Sequence, residues 1–422
     1  MMSITVTPEV TPATLSKNDV QQLVKKKPDV DKDNLEIELY CSDYGNNNCV
    51  PYSTNAKSYI FVGDNLFLEG YPYSTEIAIP DCERIIEPVL SKCRFFEAHE
   101  GTLIRVFNVK DKWYTSTNRR LDAFNSKWAA KTTTFGLHFA AAVQECIRSV
   151  DDDDIFEGEE ISIEEKKKCS RDYLNKIYEE NLDKTKKYMF LLEPCDEERI
   201  VCCTKSPNFF NIGVFDKDNN LSLNEEVKLD KFIVPIPKEY VFNNMKDLVD
   251  TLEDVNIDEI QGFIVIQSEA GKDDKHFKIL NSRYKYLFNL RGNTPSIRFR
   301  FIELANNPKT AGTKMIDDFC ELYSFDPTNL KNYIWERVVE DLFQKYQNRY
   351  VKKIPDFTTT KQDKMLNTIH SHYLRFKSIG SRTDRTTIMN ILSIQKPSDL
   401  NQLIGEYEKK DKDMKNALVE KV

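Results

Sequence analysis

Residues 96–128, FEAHEGTLIRVFNVKDKWYTSTNRRLDAFNSKW, decide how the rest of the chain is read. Leu103, Ile104, Val106 and Phe107 make a strand directly after the turn at Gly101. Lys110-Asp111 then folds it back onto Trp113, Tyr114 and Thr115, β-branched and aromatic residues that suit a pleated surface. The stretch reads as one strand, a short glycine-containing turn and two more strands of a meander. Backbone amides beside Gly101, with Arg119 and Arg120 facing them across a hairpin, suit a phosphate.

Around this centre the segments alternate in kind. Residues 1–35 are polar and read as a flexible segment with one short helix over 17–26. Residues 59–70 form a hairpin about Gly63-Asp64-Asn65, and residues 82–92 make one or two helical turns. Helical spacing returns at 135–149, where His138 is a packing residue, and again at 164–181, after the acid-rich loop 151–165. Strands follow at 188–193 and 199–203, a helix at 246–255, and further strands at 260–266 and 277–280. The fold class is α+β, with antiparallel sheets carrying helices on the outside. Beyond residue 305 Leu330, Ile334, Val338, Leu342 and Tyr346 recur at every fourth position, and residues 306–422 read as a small all-helical domain.

Bulk properties narrow the function classes. The chain has 422 residues, a net charge of −8 and 40% hydrophobic residues. It contains no apolar run of about 18 residues and no signal-peptide layout, so the expectation is a soluble cytoplasmic protein, or one of a viral factory or virion, that is not secreted. Ten cysteines without a CxxC pair read as reduced, and no metal-ligand spacing is present. His370 and His372, two apart on a helix, do not face one another and are assigned no metal.

The acidic total hides two basic stretches. Residues 275–302 hold seven Lys or Arg and no acid; residues 345–385 hold ten against three acids. Arg283, Lys285, Arg291, Arg298 and Arg300, interleaved with aromatic residues, are the expected nucleic-acid contacts. Arg298 and Arg300 lie two apart in a strand-like run and share a face. Charge reversal at Arg291, Arg298 and Arg300 is therefore expected to weaken binding more than reversal at Arg382 and Arg385.

Taken in order, the segments resemble the covalent nucleotidyltransferases, in particular RNA ligases of the phage and large-DNA-virus type. Ala98-His99-Glu100-Gly101-Thr102-Leu103-Ile104 is similar to their Lys-x-Asp-Gly motif and following strand. Phe190-Leu191-Leu192 through Arg199-Ile200-Val201, then Gln261-Gly262-Phe263-Ile264-Val265, then Lys278-Ile279-Leu280 resemble the later motifs. The resemblance spans roughly residues 55–300 and implies a nucleotidyltransferase-like domain over 36–305. In the family a lysine attacks the α-phosphate of ATP and carries AMP as a phosphoramidate.

The departures are chemical. Ala98 stands where the nucleophilic lysine belongs, Glu100 replaces Asp, Gln261 replaces a carboxylate and Leu280 replaces the last lysine. The acid expected near Leu191 or Leu192 is absent. Gly101, Arg119, Arg120 and Lys278 remain as phosphate contacts. The resemblance thus implies a fold that binds nucleotide phosphates or nucleic acid, RNA in preference to DNA, without adenylyl transfer. Its partners would be nucleic acid or the subunits of a processing or transcription complex, not a membrane. ATP and Mg belong to the alternative of an active ligase or capping-type enzyme using Lys92 or His99. A structural or assembly protein is the third possibility. Asn-, Lys- and Tyr-rich usage suits an AT-rich genome such as that of a large DNA virus.

Overall fold

The computed structural model describes residues 16–24, 27–41, 58–128, 133–148, 162–194, 200–203, 208–268, 274–292, 294–355, 357–380 and 382–419. The chain divides into two compact units, Met1–Tyr286 and Leu287–Val422. The division falls before the 305/306 boundary expected from sequence, and the run through Arg298 and Arg300 read as strand-like is helical.

In the first unit, α1 (Lys17–Val24) precedes β1 (Asp29–Val30), β2 (Ile37–Cys41), β3 (Ser58–Val62) and β4 (Asn65–Glu69), which form one antiparallel sheet. Val20 and Val24, one helical turn apart, pack on Tyr40, Tyr59 and Phe61. The short helix expected over 17–26 is present as Lys17–Val24, anchored by these two valines, and β1 adds a short strand to the segment expected to be flexible. Residues 42–57 and 151–161, the latter within the acid-rich loop expected over 151–165, lie outside the described residues.

Next come β5 (Thr75–Ile77), α2 (Ile79–Ile85), a 3-10 segment over Glu87–Lys92, β6 (Cys93–Ala98), β7 (Thr102–Val109) and β8 (Lys112–Thr117). Lys110 and Asp111 both have positive φ, 51° and 62°. That is the two-residue turn whose twist matches a hairpin, and it pairs Val109 with Lys112 and Ile104 with Thr117. The helices α3 (Phe135–Ile147) and α4 (Ile163–Asn181) follow, the latter opened by a Ser162/Glu165 capping box. Then come β9 (Lys187–Leu192), β10 (Phe209–Phe215), β11 (Leu221–Ser222), the small β12 (Lys228–Leu229) and β13 (Phe232–Ile233) pair, and β14 (Glu239–Tyr240). α5 (Met245–Asp254), β15 (Gly262–Gln267) and β16 (Lys275–Leu280) complete the strands. Residues 200–203 are irregular rather than the strand expected there, and 195–199 and 269–273 lie outside the described residues.

The decisive stretch is not a meander. Strand order is β11-β10-β9-β7-β8 in one sheet and β14-β6-β15-β16-β5 in another. The chain therefore crosses between sheets at His99-Glu100-Gly101. Gly101 is required by close approach: a Cβ there collides with the Leu192 carbonyl oxygen of β9. One face of the first of these sheets packs on α3 and α4 through Ile104, Val106, Phe139, Val143, Leu174, Tyr178, Phe190 and Phe209. The other sheet packs on α2 and α5 through Phe95, Phe263, Val265, Ile279, Leu248 and Leu252. Each fully buried side chain of this size contributes about 1.5–3 kcal/mol. Buried Arg105 ties the β7 sheet to the N-terminal one, donating to Ser116 Oγ (3.1 Å), Ser58 Oγ (3.0 Å) and the Thr117 carbonyl.

The second unit is helical. α6 (Ser282–Arg291) leads into it, followed by α7 (Ile297–Asn306), α8 (Lys314–Leu322) and α9 (Pro327–Tyr333). α9 continues through a π segment into α10 (Glu340–Tyr346) and a second π segment ending at Lys352. α11 (Thr360–Phe376), α12 (Arg385–Ser393) and α13 (Pro397–Val419) complete the unit. Its core joins Val338, Leu342, Leu366, Ile369, Ile388, Leu392, Leu403 and Ile404, the periodic positions read from sequence with their partners. Among the described residues no helix is long and apolar enough to cross a membrane.

Candidate functional site

The crossing from β6 to β7 places three consecutive residues, His99 to Gly101, between the two sheets, directly after Glu97 and Ala98 at the end of β6. Register fixes what faces what. Ala98 pairs with Gly262 of β15, and Gly262 with Leu280 of β16; Phe96, Ile264 and Lys278 form the next line on the same face. Ala98 thus meets Gly262 and Leu280, both more than 160 positions further along the chain, on one register line. Its side chains are a methyl, a hydrogen and a leucine, so the centre of the site is apolar. Ala98 is 2% exposed and Leu280 6%.

The polar groups around this line bond one another. Glu100, buried, accepts from the backbone amides of Ile200, Val201 (2.9 Å) and Cys202 (3.1 Å) and from the Tyr284 hydroxyl (3.0 Å). Three successive amides form an anion-binding nest, and this carboxylate fills it. Gln261 donates through Nε2 to the His99 carbonyl at 2.5 Å, while its backbone amide donates to the Ala98 carbonyl at 2.8 Å. Burial pushes the Cys202 thiol up, beyond the range of a reactive thiolate.

His99 is held between two carboxylates. Its Nδ1 lies 3.2 Å from Glu193 Oε1 and its Nε2 3.4 Å from Glu97 Oε2, and its ring stacks on Phe210 at 4.0 Å. Burial works against a charged imidazole, but hydrogen bonds and attraction from Glu193 and Glu97 outweigh it and raise the pKa. Glu97 responds in the opposite sense: burial raises it, while His99 and the Tyr240 hydroxyl bring it down overall. Glu193 also corrects the sequence reading, which found no acid near Leu191 or Leu192. The acid is the next residue, and its partner is an imidazole.

A pH test follows. The folded pKa of His99 is raised, so its stabilisation is complete below its ordinary value of about 6.5 and is lost as pH rises through the folded value. Buried His138 and His276, pushed down to about 4, act only below pH 6.5. Lys278, pushed down to about 8, acts in the opposite direction above that pH. Between pH 6.5 and 8 the wild-type urea midpoint should therefore fall, and His99→Gln should flatten the slope.

Lys278 is the cation on the face of Ala98. Burial lowers its pKa to about 8, opposed by attraction from Glu76, Glu100 and Cys202. Its amine makes no hydrogen bond or ion pair among the described residues. Lys92, by contrast, is exposed and precedes β6, six residues before Ala98. At about 3.3 Å per strand residue that is roughly 20 Å away, so Lys92 does not supply an amine here.

The remaining expected contacts are placed differently. Gly101 borders β9, whereas Arg119 and Arg120 follow β8 on the opposite side of β7. Arg120 pairs with Asp29 at 2.9 Å. The strip from Arg283 to Arg300 is helical, which corrects the shared face assigned to Arg298 and Arg300: two helical positions point about 200° apart. Arg291 is fully buried and donates to the carbonyls of Thr294 and Pro295. Arg298 engages Glu408 and Asn401; Arg300 engages Glu303 and the carbonyls of Asn289 and Leu290. Lys285 pairs with Glu76 at 2.6 Å, and Arg283 lies over the Tyr286 ring.

The residues present do not fit the magnesium–ATP chemistry that the resemblance implies. Position 98 has no amine, Glu100 is taken up by backbone amides, Glu97 and Glu193 hold an imidazole, and position 261 carries no carboxylate. Among the described residues no group of three or more His, Cys, Asp or Glu has metal-binding geometry.

Comparison with known proteins gives relatives but no family. No family model matches the chain. Among solved structures it is similar to an archaeal ATP-dependent RNA ligase (form 2; TM-score 0.37, 9% identity, 86% of this chain and 90% of that one). It is also similar to a putative ATP-dependent DNA ligase from Aquifex aeolicus (TM-score 0.37, 14% identity, 85% and 86%). In sequence it is 27% identical over 417 residues to the "Immediate-early protein ICP-46 homolog" of Invertebrate iridescent virus 6, covering 93% of this chain and 85% of that protein. Immediate-early protein ICP-46 of Frog virus 3 is 26% identical over 276 residues, which span 64% of this chain and 63% of that protein. The chain is thus similar, over most of its length, to an immediate-early protein of a large DNA virus.

Proposed function

We propose that this is a nucleotidyltransferase-like protein, in a viral setting, that holds a nucleotide or nucleic-acid phosphate reversibly and does not carry out covalent adenylyl transfer. One observation carries the reading: around Ala98, Glu97, His99, Glu100, Glu193 and Gln261 are hydrogen-bonded or paired to protein groups. A transfer site keeps such groups pointed at the phosphates and the metal; here they brace the junction of two sheets. Lys278, half-buried and without a hydrogen-bonding partner among the described residues, is the group left to meet a phosphate oxygen. A charge-assisted hydrogen bond of about 1.5–3 kcal/mol corresponds to roughly tenfold or more in affinity. Equilibrium dialysis should show ATP retained reversibly and the retention weakened by that factor in Lys278→Met. Equal retention by the variant would remove Lys278 from the site.

A second reading has its own observation. Lys278 shares a face with Ala98, and its pKa of about 8 leaves a usable fraction of neutral amine at physiological pH. If any transfer activity survives, its nucleophile is Lys278 rather than Lys92 or His99. The amine would form the bond to the α-phosphorus as pyrophosphate leaves.

A further inference from the structure

The second unit carries its own candidate surface, independent of the site around Ala98. Ten basic residues lie between Lys345 and Arg385. Five are taken up by carboxylates: Lys345 by Asp341, Arg349 by Asp363, Lys361 by Glu406, Lys364 by Asp399 and Arg385 by Glu340. The other five, Lys352, Lys353, Arg375, Lys377 and Arg382, are all exposed, and their side chains make no hydrogen bond or ion pair among the described residues.

The five lie along or just beyond one pair of packed helices. The helix ending at Lys352 packs on α11 through a column of rings. Tyr350 stacks on His370 at 3.9 Å and 9°, His370 lies 5.9 Å from Tyr373 at 26°, and the Tyr346 hydroxyl reaches His370 Nδ1 at 3.3 Å. Lys352 and Lys353 follow Tyr350 within a turn, and Lys353 sits close enough to depress the His370 pKa, after burial. Arg375 and Lys377 follow Tyr373 within about a turn. Thr383, next to Arg382, interacts with Tyr346. The helix is stopped at Lys353 by a left-handed conformation (φ 60°), and Ile354 and the 98% exposed Phe357 follow it into solvent.

We infer that this helix pair binds single-stranded nucleic acid, with the five cations on phosphates and exposed Phe357 and half-buried Tyr350 and Tyr373 on bases. Unpaired cations interleaved with partly exposed aromatic rings are what a stacking platform with an electrostatic track requires. Exposed Leu374 and Ile354 do not make a membrane face, because Met365, Leu366 and Ile369 of α11 are buried in the unit's own core. This inference reverses the ranking read from sequence. The Arg291–Arg300 strip is engaged internally, and Arg382 belongs to the surface that is free.

The test is fluorescence anisotropy of a labelled 15-nucleotide oligouridylate with the full chain across a salt series. About 0.7 in slope per phosphate contact predicts log K against log salt near −3.5 for five contacts. The variant Lys353→Glu/Arg375→Glu/Arg382→Glu should bind at least tenfold more weakly at 0.15 M salt, with a slope near −1.4. Tyr373→Ala should lose roughly fivefold or more. Lys314→Glu/Lys331→Glu, also exposed on the same unit, should bind as wild type. Should the triple variant lose its helical circular dichroism, the milder Lys353→Gln/Arg382→Gln pair decides. Wild-type affinity in the patch variants, or equal loss in Lys314→Glu/Lys331→Glu, overturns the inference. Failure to bind the oligonucleotide, with or without binding to phosphatidylserine vesicles, overturns it too.

Discussion

Glu100→Ala is expected to cost about 3 kcal/mol or more in stability of the first unit, since removing one partner from a buried, fully hydrogen-bonded charge leaves the others unmet. Three backbone amides and the Tyr284 hydroxyl lose their acceptor together, at a site where Glu100 is 6% exposed. The loss has a local signature. Hydrogen exchange at Val201 and Cys202 should become at least a hundredfold faster, because about 1.4 kcal/mol is a factor of ten and these amides have no other strand to pair with. Glu100→Gln keeps an acceptor oxygen but turns an NH2 toward the donors, so it should fall between alanine and wild type. If exchange at 201–202 is unchanged in Glu100→Ala, the nest is held by something else.

Gly262→Ala is the second large expectation. Gly262 has φ +146° and pairs with Ala98 on one side and Leu280 on the other. An added Cβ collides with the Ile279 carbonyl oxygen and lies 2.9 Å from the Leu280 Cα, both backbone atoms of β16 that cannot turn away. Steric overlap and an unfavourable φ act together in the middle strand of the sheet, so the variant should be insoluble or lose cooperative unfolding. Gly63→Ala is the comparison. Gly63 also has positive φ (+63°), but a Cβ there meets nothing within 4 Å. Only the left-handed penalty of about 1–2 kcal/mol applies, and a modest drop in melting temperature should be seen. Similar behaviour of the two variants would contradict the packing around Gly262.

Much of the architecture was legible because its signals are local. The hairpin from Thr102 to Thr117 declares itself through strand-forming residues on either side of Lys110-Asp111. The helices of the second unit declare themselves through the fourfold recurrence from Leu330 to Tyr346. What the residues did not reveal was which sheet each strand joins. His99-Glu100-Gly101 is as good a local signal for a hairpin turn as for a crossing, and the choice is made by β15 and β9, more than 80 residues away.

Arg298 and Arg300 show a local pattern losing to a better one. Ile297-Arg298-Phe299-Arg300-Phe301-Ile302 alternates as a strand should. Yet Ser296 caps a helix by accepting from the Phe299 amide at 3.2 Å, and Ile302 and Leu304 are buried in that helix. The chemistry of the site was partly visible. The ordered motifs named Ala98, Gln261 and Leu280, and register puts Ala98 and Leu280 on either side of Gly262, the neighbour of Gln261. Glu97, Glu193, Phe210 and Tyr284 went unread because nothing in their spacing links them to His99 or Glu100. Glu193, immediately after the buried strand Lys187–Leu192, was the one with a usable signal.

The central claim is that the groups around Ala98 have become structural, and the mass of the intact protein tests it most directly. After incubation of the full chain with ATP and magnesium, the account predicts the unmodified mass and no acid-labile label retained from α-labelled nucleotide. A shift by one AMP, mapped to a lysine, would contradict it, and its absence in Lys278→Met would identify the amine responsible.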